Sequence, residues 1–179
     1  MIHRALCACA ILLGSTLTFS QDLARAKTSV TMVPAEITSI DRGHPGTVQL
    51  EFRVAHGFHI NSNKPSQEYL KKTELKLDAP TDIVIGRITY PPGQDHSFPF
   101  APKDKLNVYT GEFGIAVTVR PLSTVLPTKY AVHGFLKYQA CDNAACYPPR
   151  QLPVSFEVKV TKGKPAHRRN PAQSPHAHS

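Results

Sequence analysis

The chain has 179 residues, with 21 Lys and Arg against 13 Asp and Glu, for a formal net charge of +8. Setting aside an N-terminal export signal and a basic tail leaves enough chain for one domain with its own core, carrying only about +3. That modest charge, without basic and aromatic residues interleaved along the folded part, excludes a nucleic-acid reading.

Residues 1–26 read as a secretory signal. His3 and Arg4 open it, Ala5 to Phe19 form an apolar run too short to span a bilayer, and Ala24-Arg25-Ala26 offers a small-x-small cleavage site. Cys7 and Cys9 lie inside this segment and leave with it. No later stretch reaches the roughly 18 apolar residues of a spanning helix, so the mature protein is expected to be soluble and exported. Strands are expected next. Ser29–Ile40 alternates loosely, and Thr47–Val54 alternates cleanly with Val48, Leu50, Phe52 and Val54 on one face. Glu74–Leu77, Asp82–Tyr90, Asn107–Arg120, Lys129–Gln139 and Leu152–Val160 follow, separated by turn residues such as Pro91-Pro92-Gly93 and Pro148-Pro149. A short helical turn is expected near Ser66–Lys72. Many short strands with no long helix predict an all-β sandwich over residues 27–161. Residues 162–179, rich in Pro, His and Ser, are expected to be a disordered tail. Its His167, His176 and His178 could bind a metal weakly, but a solvated tail is the plainer reading.

The chemistry concentrates in KYQACDNAACYPPR, residues 137–150. The strands Lys129–Gln139 and Leu152–Val160 should pair as a hairpin, which leaves Cys141 and Cys146 flanking a four-residue loop within bridging distance. In an oxidising compartment these two cysteines should form a disulfide. Closing so small a loop stabilises the fold by only about 2 kcal/mol, against nearly 5 for a loop of about a hundred residues. Exposed local disulfides are the exchangeable ones. Against exchange, there is no Cys-x-x-Cys and no helix N-terminus, and a nearby Asp142 would disfavour a thiolate at Cys141. The residues alone leave a structural staple and a redox pair both open. Zinc ranks third, because a second ligand pair at recognisable spacing is missing and His59 and His133 read more simply as structural. Pro148 and Pro149 hold the chain extended after Cys146.

The same residues carry a resemblance. Tyr138-Gln139-Ala140-Cys141, a short spacer, then Cys146-Tyr147-Pro148-Pro149 resembles the active-site signature of the periplasmic N-terminal domain of DsbD, the thiol:disulfide interchange protein. Tyr90-Pro91-Pro92-Gly93, Val108-Tyr109, Gly111-Glu112 and Gly57-Phe58-His59-Ile60-Asn61 extend the likeness across roughly residues 29–160. The resemblance implies an immunoglobulin-like β-sandwich in the periplasm. It implies that Cys141 and Cys146 cycle between disulfide and dithiol, with Cys146 joining partners and Cys141 resolving the mixed disulfide. Tyr138, Gln139, Tyr147, Pro148 and Tyr109 would flank the site. It also implies a cap loop over the bridge, here His96–Lys103, with Phe98 or Phe100 as the shield. Partners would be thioredoxin-like proteins or a membrane electron conduit, with no cofactor and no metal. The spacer is one residue shorter than in the best-known DsbD domains, and Pro99 and Pro102 stand where acids would be expected. The chain stops after this domain, so electrons are expected to come from a separate protein. Such a chain would be a relay, a component of protein-disulfide reduction, more than an enzyme with a small-substrate pocket. The alternative from another class is an immunoglobulin-like binding or structural domain whose local disulfide is inert.

Overall fold

The computed structural model describes residues 29–99 and 101–163. The export signal assigned to residues 1–26, residues 164–179 of the tail, and Phe100 lie outside the described residues. Within them the chain forms twelve strands and no helix. These are β1 (Val30–Met32), β2 (Thr38–Asp41), β3 (Gly46–Val54), β4 (His59–Asn61), β5 (Glu74–Asp78) and β6 (Ile83–Thr89). They continue with β7 (Gln94–Phe98), β8 (Ala101–Tyr109), β9 (Glu112–Pro121), β10 (Lys129–Tyr138), β11 (Ala140–Cys141) and β12 (Arg150–Thr161).

Period-2 alternation builds the core. β3 buries Val48, Leu50, Phe52 and Val54, the face its sequence pattern picks out. Directly opposite, β9 buries Ile115 against Leu50, Val117 against Val48 and Phe113 against Phe52. With β1 and β6 these strands form one sheet, in the order β1-β3-β9-β6. A second sheet, β2-β12-β10-β5, turns Val132, Leu136, Val154, Phe156 and Val158 into the same apolar cluster. Each such side chain removed from water contributes about 1.5–3 kcal/mol. The two sheets form the immunoglobulin-like sandwich that the resemblance implied.

Three expectations need correction. Ser29–Ile40 is two strands, because Pro34 has no N–H to donate and breaks the ladder. β1 pairs antiparallel with β3 in the first sheet, whereas β2 runs parallel to β12 in the second. Asn107–Arg120 is also two strands. Gly111, at φ +60°, makes the reversal between β8 and β9, and its carbonyl accepts the Val54 N–H at 2.8 Å. Ser66–Lys72 holds no helix, only a turn in which the Leu70 N–H reaches the Gln67 carbonyl at 3.2 Å. His96–Lys103, expected as the cap loop, lies at the end of the β7–β8 hairpin, with Phe98 opposite Ala101.

The β10–β12 hairpin forms as expected, from Lys129 opposite Lys159 to Tyr138 opposite Arg150. On its other edge Gly134 faces Leu77 of β5. A Cβ at Gly134 would collide with the Lys76 carbonyl oxygen and lie 2.9 Å from Leu77 Cα. Gly134→Ala is therefore expected to cost about 1–3 kcal/mol in urea denaturation, because backbone cannot step aside as a side-chain tip can. A loss below about 0.5 kcal/mol, the scatter of ordinary surface changes, would show that β5 shifts freely.

Candidate functional site

The site lies where the chain leaves one sheet for another. β10 ends at Tyr138, Gln139 makes the crossing, and β11 joins a third sheet in the order β11-β4-β8-β7. In that sheet Ala140 faces Ile60 and Cys141 faces His59. A tight hairpin follows. The Asp142 N–H donates to the Ala145 carbonyl at 2.9 Å, and the Tyr147 N–H to the Ala140 carbonyl at 2.9 Å. Between these two bonds Cys141 and Cys146 oppose each other without a ladder bond of their own, the closer kind of antiparallel pair. Their Cα atoms are 3.9 Å apart and a disulfide joins them.

The hairpin is held by its own polar groups. Asp142 Oδ1 accepts the N–H groups of Ala144 at 2.8 Å and Ala145 at 2.9 Å, and Oδ2 accepts the Tyr147 hydroxyl at 2.8 Å. Gln139 Nε2 donates to the Tyr147 carbonyl at 3.1 Å, and the Tyr147 ring packs on Phe58 at 5.9 Å. Removing the Asp142 carboxylate is expected to free the loop amides. In Asp142→Ala, hydrogen exchange at Ala144 and Ala145 should speed up by about tenfold or more, since each lost bond is to a carboxylate and worth about 1.5 kcal/mol or more. Unchanged exchange would mean that the disulfide alone orders the tip.

The two cysteines do not meet solvent equally. Cys141 is 1% exposed, whereas Cys146 is exposed, as are Pro148 and Pro149 beyond it. A thiol arriving from water meets Cys146 first.

His59, 2% exposed, is the cross-strand neighbour of Cys141. Its ring stacks on Phe98 with centroids 3.8 Å apart and planes 15° apart. Phe98, half-buried at the end of β7, thus rests on His59, and Phe100 lies outside the described residues. Burial above all, then the neighbouring His96, pulls the His59 pKa down to about 4, while Asp142 pulls it up. The unfolded chain takes this proton near pH 6.5 and the folded one only near pH 4. Stability is therefore complete above about pH 6.5 and is lost as pH falls toward 4, by about 2 kcal/mol after allowance for solvent screening. His59→Gln should flatten that limb of the stability–pH curve, and identical curves for the two proteins would refute the assignment.

The remaining predicted residues are more structural than exposed. Tyr138 is buried in the core opposite Arg150. Tyr109 stacks on Phe113 at 4.7 Å, and Phe113 stacks on Phe52 at 5.4 Å. The Tyr109 hydroxyl lies 2.7 Å from Asn63 Oδ1 and 3.1 Å from the Pro91 carbonyl, either of which can take its one proton. Burial raises its pKa, with the Asn63 N–H opposing. Ile60 is the link between this column and the bridge, facing Tyr109 on one side and Ala140 on the other. Nothing in the residues alone gives Phe58 a role, and His59 reads there mainly as a structural histidine. The only sequence signal for either was their place in Gly57-Phe58-His59-Ile60-Asn61. Among the described residues no three His, Cys, Asp or Glu side chains converge as metal ligands, and no helix is long and apolar enough to cross a membrane.

A β-sandwich that carries a small disulfide hairpin on a side sheet, with one cysteine buried and the other exposed, has the form of a thiol-exchange domain. The chain belongs to the family of the N-terminal domain of the thiol:disulfide interchange protein DsbD, whose family model matches residues 29–157. Among solved structures it is similar to the reduced N-terminal domain of Neisseria meningitidis DsbD, at 23% identity over 78% of this chain and 92% of that one, with a TM-score of 0.45. It is similar to a complex between the DsbD and PilB N-terminal domains of the same organism, at 23% identity over 62% and 73%, TM-score 0.38. It is also similar to the N-terminal periplasmic domain of Proteus mirabilis ScsB, at 16% identity over 73% and 44%, TM-score 0.43. No protein of curated function matches the chain.

Proposed function

We propose that residues 27–161 form a periplasmic thiol:disulfide interchange domain. Its Cys141–Cys146 bridge cycles between disulfide and dithiol, exchanging electrons with thioredoxin-like proteins or a membrane electron conduit. Family membership supports the chemistry. The single observation that carries the reading is the contrast between an exposed Cys146 and a Cys141 that is 1% exposed. A partner thiolate attacks the Cys146 sulfur, the Cys141–Cys146 bond breaks, and the electron pair leaves on Cys141. The mixed disulfide resolves when Cys141 attacks Cys146 and expels the partner, or when a second partner thiol attacks and releases Cys146. Phe98 belongs to this reading as the side chain that closes over the wall behind the bridge.

The test is the equilibrium reduction potential against a dithiothreitol or glutathione series. A value above about −250 mV places the bridge among exchangeable couples. A value below about −300 mV marks a structural bridge and would return the chain to the class of inert immunoglobulin-like binding domains.

A further inference from the structure

Opening the bridge creates a problem that the relay alone does not solve. Attack at Cys146 leaves the displaced electron pair on Cys141, a sulfur that is 1% exposed. An uncompensated thiolate is costly in so dry a place. We propose that His59 takes up the proton that compensates this charge, so that opening the bridge forms a Cys141 thiolate–His59 imidazolium pair.

The placement carries the argument, which rests on the relay reading. Cys141 and His59 are directly opposed on antiparallel β11 and β4. Residues so opposed present their side chains on the same face of the sheet with Cβ atoms about 5 Å apart. His59 is itself 2% exposed, with Phe98 stacked on one face of its ring. The other ionisable groups around it fit the role less well. Asp142 has the wrong sign, and both its oxygens already accept hydrogen bonds from the hairpin. Tyr147 directs its hydroxyl proton to Asp142. His96, from β7, is exposed, lies against Gln94 Oε1 at 3.2 Å, and meets the far ring of the stack, its centroid 6.1 Å from that of Phe98. Burial and His96 keep His59 neutral while the bridge is closed. A negative sulfur beside it reverses that balance, because an adjacent opposite charge favours the charged form.

The step balances. The partner thiolate forms a bond to the Cys146 sulfur and the Cys141–Cys146 bond breaks. The electron pair goes to Cys141, and one proton passes from water to His59. When Cys141 attacks Cys146 again, the partner leaves as a thiolate and His59 returns its proton to water.

The coupling can be read without any partner. In the unmodified protein, the His59 imidazole is titrated by NMR in the oxidised form and again after reduction with dithiothreitol. Its midpoint should rise from about 4 by more than about two units on reduction, because the pair forms only if the same coupling brings the thiol midpoint, ordinarily near 8.5, below that of His59. Cys146→Ala leaves Cys141 as the single thiol of the domain, and its ionisation is followed by ultraviolet absorbance. Adding His59→Gln to that variant should raise the Cys141 midpoint by the same amount, since the coupling is reciprocal. Equal His59 midpoints in the two redox states would overturn the proposal even if the double variant fails to fold. A bridge that no thioredoxin-like protein opens would defeat the relay reading while leaving this shift measurable.

Discussion

The Cys141→Ala protein is expected to capture a thioredoxin-fold partner through Cys146 and hold it. The probe is a thioredoxin reduced to its single attacking cysteine and activated as a mixed disulfide with thionitrobenzoate. The Cys146 thiolate attacks the activated sulfur, the coloured thiol leaves, and a disulfide-linked heterodimer remains that no Cys141 can resolve. Cys146→Ala should release the coloured thiol at least about a hundredfold more slowly, because Cys141 is 1% exposed and cannot be approached in line. Either substitution should also lower catalytic exchange between two partners by at least about two orders of magnitude, since both members of a redox couple are needed for each turnover. Equal trapping by the two variants would show that the burial contrast does not decide the attacked sulfur. Trapping by neither would remove the relay reading.

Phe113→Ala is expected to be the most destabilising single change beside the site. Phe113 is the middle ring of a stack that runs from Phe52, 0% exposed, to Tyr109, 3% exposed. Truncation deletes a buried ring, leaves a cavity and removes both ring–ring contacts, for about 3–5 kcal/mol. For a domain of this size that lowers the melting temperature by roughly 10–20 °C. Tyr109→Phe keeps the stack and loses only the hydroxyl contacts to Asn63 and Pro91, so it should cost about 1 kcal/mol. A Phe113→Ala loss no larger than the Tyr109→Phe loss would show that the column does not tie the sandwich to the third sheet.

How well each element reads from the sequence follows from its length and from where its partner lies. β3 and β12 were legible because nine and twelve residues give period 2 enough repeats to stand out. β4 and β11, at three and two residues, give it too few, and β7, Gln94–Phe98, has no buried face to alternate. These three, with β8, make the sheet that bears the bridge. Residues 29–40 carry one loose alternation, yet it is divided between two sheets. Which sheet a strand joins depends on distant partners and not on its own pattern.

The β class, the inward faces of the long strands and the pairing of Cys141 with Cys146 can all be read from the amino-acid order. That order also points to the family through the residues around that pair. These are properties of neighbouring residues, so local spacing is enough to express them. Long-range packing, in contrast, makes the cysteine hairpin leave its parent strands and dock on β4. That docking buries Cys141, leaves Cys146 open and sets His59 across from the buried sulfur, 82 positions earlier in the chain. Exposure and cross-strand proximity arise when separate segments pack, and no spacing within either segment records them.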